Sequence, residues 1–149
     1  MNSHAEKKSA SIREIRGRGS PQLKETGHRG ERLRSTTISS RDAAAKLPEL
    51  ARKRSVPLFQ HGTLTVKLYA PRGADQQTPH KQDEVYVVIS GIGEFVCEGE
   101  RRHFGPHDFL FVRAGVEHHF ENFSDDFVVW VFFYGPEGGE PDYAASGNL

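Results

Sequence analysis

The sequence predicts an all-β fold, a sandwich or barrel of about eight short strands behind one short helix and a basic tail. Three observations lead there. From Leu58 onward, β-branched and aromatic runs alternate with Gly, Pro and Asp. No second helical pattern of useful length accompanies them. Ten Phe, four Tyr and one Trp among 149 residues supply the large side chains that a small core needs.

Residues 1–36 carry nine Lys/Arg against four Glu, and only Ile12, Ile15, Leu23 and Leu33 as large apolar residues. This stretch reads as a disordered basic tail. The folded domain is expected over 37–149, and it holds the balancing acidic excess, since the whole chain has 20 Lys+Arg and 20 Asp+Glu. A basic tail can hold phosphates, but no aromatic residue is interleaved for base stacking, so nucleic acid is not the expected partner. Glu6, Glu14, Glu25 and Glu31 argue against an organellar leader.

A short helix is expected where Ser39 or Ser40 caps a run through Ala43, Ala44, Ala45 and Leu47, with Pro48 as its stop. Eight strands follow: Leu58 to Gln60, Thr63 to Tyr69, Glu84 to Ser90, Glu94 to Glu98, Arg101 to Phe104, Phe109 to Val112, His118 to Phe123, and Phe127 to Tyr134. His61 falls at a turn between the first two and is expected to be exposed. Gly91-Ile92-Gly93 reads as a hairpin turn. In Thr63 to Tyr69, Leu64, Val66 and Leu68 share one face and Thr65, Lys67 and Tyr69 the other, so that strand reads as half-buried. Val85 to Ile89 and Phe127 to Tyr134 are apolar on both faces. Their outer faces call for cover from another sheet, the N-terminal segment or a second subunit, and a homodimer is the inference.

The longest apolar run, Phe127 to Tyr134, is eight residues, far below the roughly twenty of a membrane-spanning helix. A soluble, cytoplasmic protein is expected, because no apolar block marks a signal peptide near the start. The single Cys97 excludes an intrachain disulfide and any multi-cysteine metal cluster. It reads as a small buried hydrophobe rather than a reactive thiol.

The chemistry gathers in two stretches. His80 and Glu84 are four apart, an even spacing that puts both on one strand face if the chain is extended. Further on, Arg113-Ala114-Gly115-Val116-Glu117-His118-His119-Phe120-Glu121-Asn122 turns at a glycine and then presents His118. Imidazole with carboxylate suits a divalent first-row metal. Together these stretches resemble the cupin superfamily. His80, Glu84 and Gly91 match its first motif, and Gly115, His118 and Asn122 its second. The resemblance runs over roughly residues 57 to 134 and implies a double-stranded β-helix, or jelly-roll barrel, with the site near its mouth.

By that resemblance His80, Glu84 and His118 are the metal ligands. His118, Phe120 and Asn122 share strand parity, which leaves His119 pointing outward. Tyr86 and Val88 share Glu84's parity and, with Phe120 and Thr78, are expected to line the pocket. Three departures stand out. Thr78 takes the place of a first histidine, Arg113 that of a turn proline, and His107 that of a small residue before Asp108. What remains is a two-His-one-Glu set for one divalent transition metal (Fe, Mn, Zn or Ni), with open positions for water, substrate or dioxygen. The resemblance thus implies a metalloprotein acting on a small molecule, of oxygenase or isomerase type. The alternative is a small-ligand-binding barrel without a functional metal.

Overall fold

The computed structural model describes residues 34–47 and 54–142. The expected tail therefore lies outside the described residues as far as residue 33, as does Pro48. One helix, α1 (Ser40–Ala44), precedes eight strands: β1 (Ser55–His61), β2 (Leu64–Tyr69), β3 (Asp83–Ser90), β4 (Gly93–Cys97), β5 (Glu100–Phe104), β6 (Phe109–Val112), β7 (His118–Glu121) and β8 (Val128–Tyr134). Ser39 is the N-cap, its hydroxyl accepting from the Asp42 amide.

The strands form two antiparallel sheets, five-stranded β1-β2-β8-β3-β6 and three-stranded β5-β4-β7. Inward-facing side chains of both make one core. Tyr69, Tyr86, Val88, Val112, Val129, Val131 and Phe133 come from the larger sheet, Phe95, Phe104 and Phe120 from the smaller, and Phe127 from just before β8. This is the β-barrel that the alternating pattern predicted.

Register fixes which side chains are neighbours inside. Thr65, Phe133 and Glu84 lie in one row across β2, β8 and β3, and Lys67, Val131 and Tyr86 in the next. The polar face of β2 is therefore interior, which corrects its half-buried reading. Leu68 on the opposite face is also buried, against Ala43, Leu47 and Ala70, because α1 lies over that side. The helix thus supplies part of the cover that the two-faced apolar strands required. It does not reach β6, where Phe109 and Phe111 are 65% and 46% exposed.

Two turn readings are settled by backbone geometry. Gly91-Ile92-Gly93 is no hairpin, since β3 and β4 belong to different sheets and the segment carries the chain between them. Gly91 has φ +85, and a Cβ there would sit 2.5 Å from the Phe127 Cα, so only glycine lets the backbones pass. His61 lies at the tight β1–β2 turn and is exposed, as expected. His107 has φ +75 in the Gly105-Pro106-His107-Asp108 turn, the third position of a type II turn, where glycine is the favoured residue.

Candidate metal centre

Three chain segments bring the candidate ligands together. Glu84 stands on the inner face of β3, 1% exposed. His118 opens β7, 2% exposed. His80 lies on the loop before β3, where its carbonyl accepts from the Gly115 amide at 2.7 Å. The turn after β6 thus holds the His80 backbone on one side and leads into His118 on the other. Asp83, 3% exposed, anchors that turn by accepting from the amides of Ala114 and Glu140, at 2.9 and 2.8 Å.

Glu84 Oε2 lies 2.6 Å from His80 Nδ1 and 3.0 Å from His118 Nε2. One ligand atom from each of the three residues falls within 4.8 Å of the others. His118 Nδ1 is 2.8 Å from the Val116 carbonyl. A carbonyl only accepts, so Nδ1 carries a proton and donates, and Nε2 is the nitrogen aimed at Glu84. Tyr86 lies beneath, its hydroxyl 2.9 Å from His118 Nε2 and donating to Gln77 Oε1 at 2.9 Å.

Burial would raise the Glu84 carboxyl, yet the hydrogen bond from His118, the close contact and charge of His80, and the Tyr86 hydroxyl together hold it below its ordinary value. Burial would likewise lower His118. Its hydrogen bonds to Glu84 and the Val116 carbonyl, with the negative charges of Glu84 and Asp75, outweigh that and hold it above. The Tyr86 phenol is pushed well up by burial first, then by the Glu84 charge. Without a metal, the two shifts run in opposite directions, each toward the charged form.

His80 makes the fit to a metal testable. Its Nδ1 is buried and, although close to Glu84, has no partner in hydrogen-bonding geometry. Two imidazole nitrogens and a carboxylate oxygen converging, one of them unsatisfied, fit the donor set of a divalent first-row ion. The residues present suit such an ion.

The expected pocket is rearranged. The cleft beside the triad is about 50 Å³ and is lined by Ser55, Lys67, Tyr69, Gln77, His80, Glu84, Val131 and Phe133. Thr78 is exposed and does not line it, because residues 75–80 form no strand and alternation does not carry back from His80. Gln77 points inward instead. Val88 and Phe120, each 1% exposed, are packed into the aromatic core rather than lining the cleft, and Tyr86 reaches the site from below through its hydroxyl. His119 is half-buried and bonded to Glu121 at 2.8 Å, away from the triad. Asn122 leaves the strand with φ +49 and bonds Glu94 on the outer side, which ends the parity assumed for it.

Sequence reasoning missed Asp75. Its carboxylate accepts from Tyr69 Oη at 2.5 Å, the Gln77 amide at 3.2 Å and the Phe120 amide at 2.8 Å, tying the β2–β3 loop to β2 and β7. Nothing in the sequence set it apart from other loop acids. Lys67 and Tyr69 were detectable, since their alternation is clean, but which face was interior was not.

Comparison with known proteins agrees with this architecture. A family model described as a cupin domain matches residues 65–134. An uncharacterized protein of Streptomyces coelicolor is 34% identical over 102 residues, covering 63% of this chain and 97% of its own length. Among solved structures, a cupin 2 conserved barrel domain protein from Salinispora arenicola superposes with a TM-score of 0.54 at 20% identity, over 70% of this chain and 91% of that one. KdgF from Halomonas does so with 0.52 at 20% identity, over 60% and 88%. The chain belongs to the cupin superfamily.

Proposed function

We propose that this cupin holds one divalent transition metal through His80, Glu84 and His118 and acts on a small molecule at that site. The observation that carries this reading is the convergence of those three donor atoms within 4.8 Å of one another, with the His80 nitrogen, among the described residues, in contact only with Glu84. When bound, the metal would supply Lewis-acid polarisation of a substrate oxygen or activation of dioxygen. The chain's own residues do the rest. The Val116 carbonyl fixes the His118 tautomer, so Nε2 faces the cleft side with its lone pair once the proton there is lost. Glu84 supplies the negative charge. Tyr86 holds a proton beside His118 and, buried and raised, keeps it at neutral pH.

Elemental analysis of the full chain after removal of loosely bound ions tests the reading. Near-stoichiometric metal is expected, lost in His80→Ala and in His118→Ala. A wild-type chain that stays metal-free after reconstitution with Fe, Mn, Zn and Ni would overturn it. A non-catalytic ligand-binding barrel is the second reading, and Thr78 in the place of a first histidine favours it. In that case ligand binding survives a chelator.

The homodimer belongs to the same proposal. Phe109 and Phe111 stand exposed on the outer face of β6. The sequence before residue 34 offers few large apolar side chains to cover them, so a second copy is the occupant. Light scattering on the full chain is expected to give twice the chain mass, and Phe109→Ser with Phe111→Ser to halve it.

A further inference from the structure

The cleft beside the triad contains more than the triad. Lys67 reaches into it from β2, on the interior face, with its ammonium 4.9 Å from the centre of the Phe133 ring. The same ring meets His80 edge-on, ring centres 4.7 Å apart. Lysine and metal candidate thus share one aromatic wall.

Among the described residues Lys67 forms no ion pair. The carboxylates of Glu84, which lines the cleft, and of Asp75, bonded to the neighbouring Tyr69, are already engaged. Glu84 is held by His80 and His118, and Asp75 by Tyr69 Oη and the amides of Gln77 and Phe120. Lys67 is half-buried, and its ammonium rests on the Phe133 ring rather than on a carboxylate. A second donor stands in the same cleft. Gln77 spends its oxygen on Tyr86, while its Nε2, buried, has no hydrogen-bond partner. The Ser55 hydroxyl adds a third donor at the rim.

Lys67, without an ion pair, and Gln77, with its buried Nε2 unpartnered, therefore line one cleft as donors. We propose that this donor pair is a carboxylate-binding subsite, and that the small molecule handled at the triad carries a carboxylate which Lys67 and Gln77 receive against the Phe133 ring. The cleft is small, about 50 Å³, and suits a head group rather than a whole ligand. The remainder of such a molecule extends outward through the mouth. Lys67 sets the substrate class, and Gln77 orients the head group. This rests on the reading of the triad as a metal site only for the reaction, not for the binding.

The test uses the full chain, metal-free, at constant ionic strength, with acetate as probe and acetamide as its neutral counterpart, followed by NMR shift titration. Acetate is expected to perturb the β2 and β8 signals around Lys67 and Phe133 saturably, and acetamide not to. Lys67→Gln is expected to weaken acetate at least about tenfold, the scale of one charge-assisted hydrogen bond, while Lys67→Arg retains it. Metal loading is measured on the same variants and is expected to be unchanged. If wild type fails to bind acetate, or Lys67→Gln binds it as wild type does, the proposal is overturned whatever the metal result. If Lys67-dependent binding is found in a chain that refuses metal, the subsite stands and the metalloprotein reading falls.

Discussion

Along β3 and β7 the barrel interior changes character within a few residues. At one end stand Glu84 and His118, 3.0 Å apart, with Tyr86 next. Two residues further along the same faces stand Val88 and Phe120, enclosed by Phe95, Phe104 and Phe127. The aromatic end is satisfied by packing alone. The polar end depends on hydrogen bonds and still leaves the His80 and Gln77 nitrogens without partners. The same strands thus build a stable floor and, above it, a site whose completion comes from outside the chain.

The largest way to test this contrast is Phe120→Ala, which removes a ring in contact with Tyr86, Phe95, Phe104 and Phe127. It is expected to cost about 3–5 kcal/mol in denaturant unfolding. A loss below about 1 kcal/mol would mean that the floor is not where stability resides. Asp75→Ala is expected to cost about 2 kcal/mol, because it strips the Phe120 and Gln77 amides and Tyr69 Oη of one shared acceptor.

Next comes pH, read on metal-free protein as the stability difference between wild type and His118→Asn. His118 is held above its ordinary 6.5, so its contribution is complete below that value and lost as pH rises through the raised one. Glu84 is held below its ordinary 4.5, so its contribution is complete above that value and lost as pH falls through the lowered one. The difference is therefore expected to be greatest between pH 4.5 and 6.5 and to shrink toward alkaline pH. A difference independent of pH would show that the pair is not ionised.

Smaller effects sharpen the comparison from the turns. His107→Gly is expected to stabilise by about 1 kcal/mol, as glycine adopts φ +75 without the Cβ penalty. Thr78→Ala, at an exposed position outside the cleft, is expected to change stability by less than about 0.5 kcal/mol and to leave metal loading as it was.

How much of this was legible follows from where alternation holds. All eight strands were visible because β-prone runs and turn residues fix them locally, and Ser39 marked the helix start. His80, Glu84 and His118 were singled out by resemblance to the cupin motifs, and the fold brings them together. Thr78 was misplaced, since parity was carried backward into a segment that is not a strand. Asn122 was misplaced for the same reason at the far end of β7, where a left-handed residue turns the chain. For β2 the period was correct and the interior face was not, because both faces are covered and burial alone cannot tell helix-facing leucine from cleft-facing lysine. Asp75 was invisible because its partners are distant in sequence and two of them are backbone amides, which no side-chain pattern records.

Asp75 has one more consequence. Among the described residues β7 pairs only with β4, so its other rim is a strand edge. The Phe120 amide on that rim donates to Asp75. A foreign strand seeking to extend the smaller sheet finds that amide taken and a negative charge in its path. The residue that steadies the loop also keeps one barrel from zipping onto the next, and its loss is expected to show first as concentration-dependent aggregation.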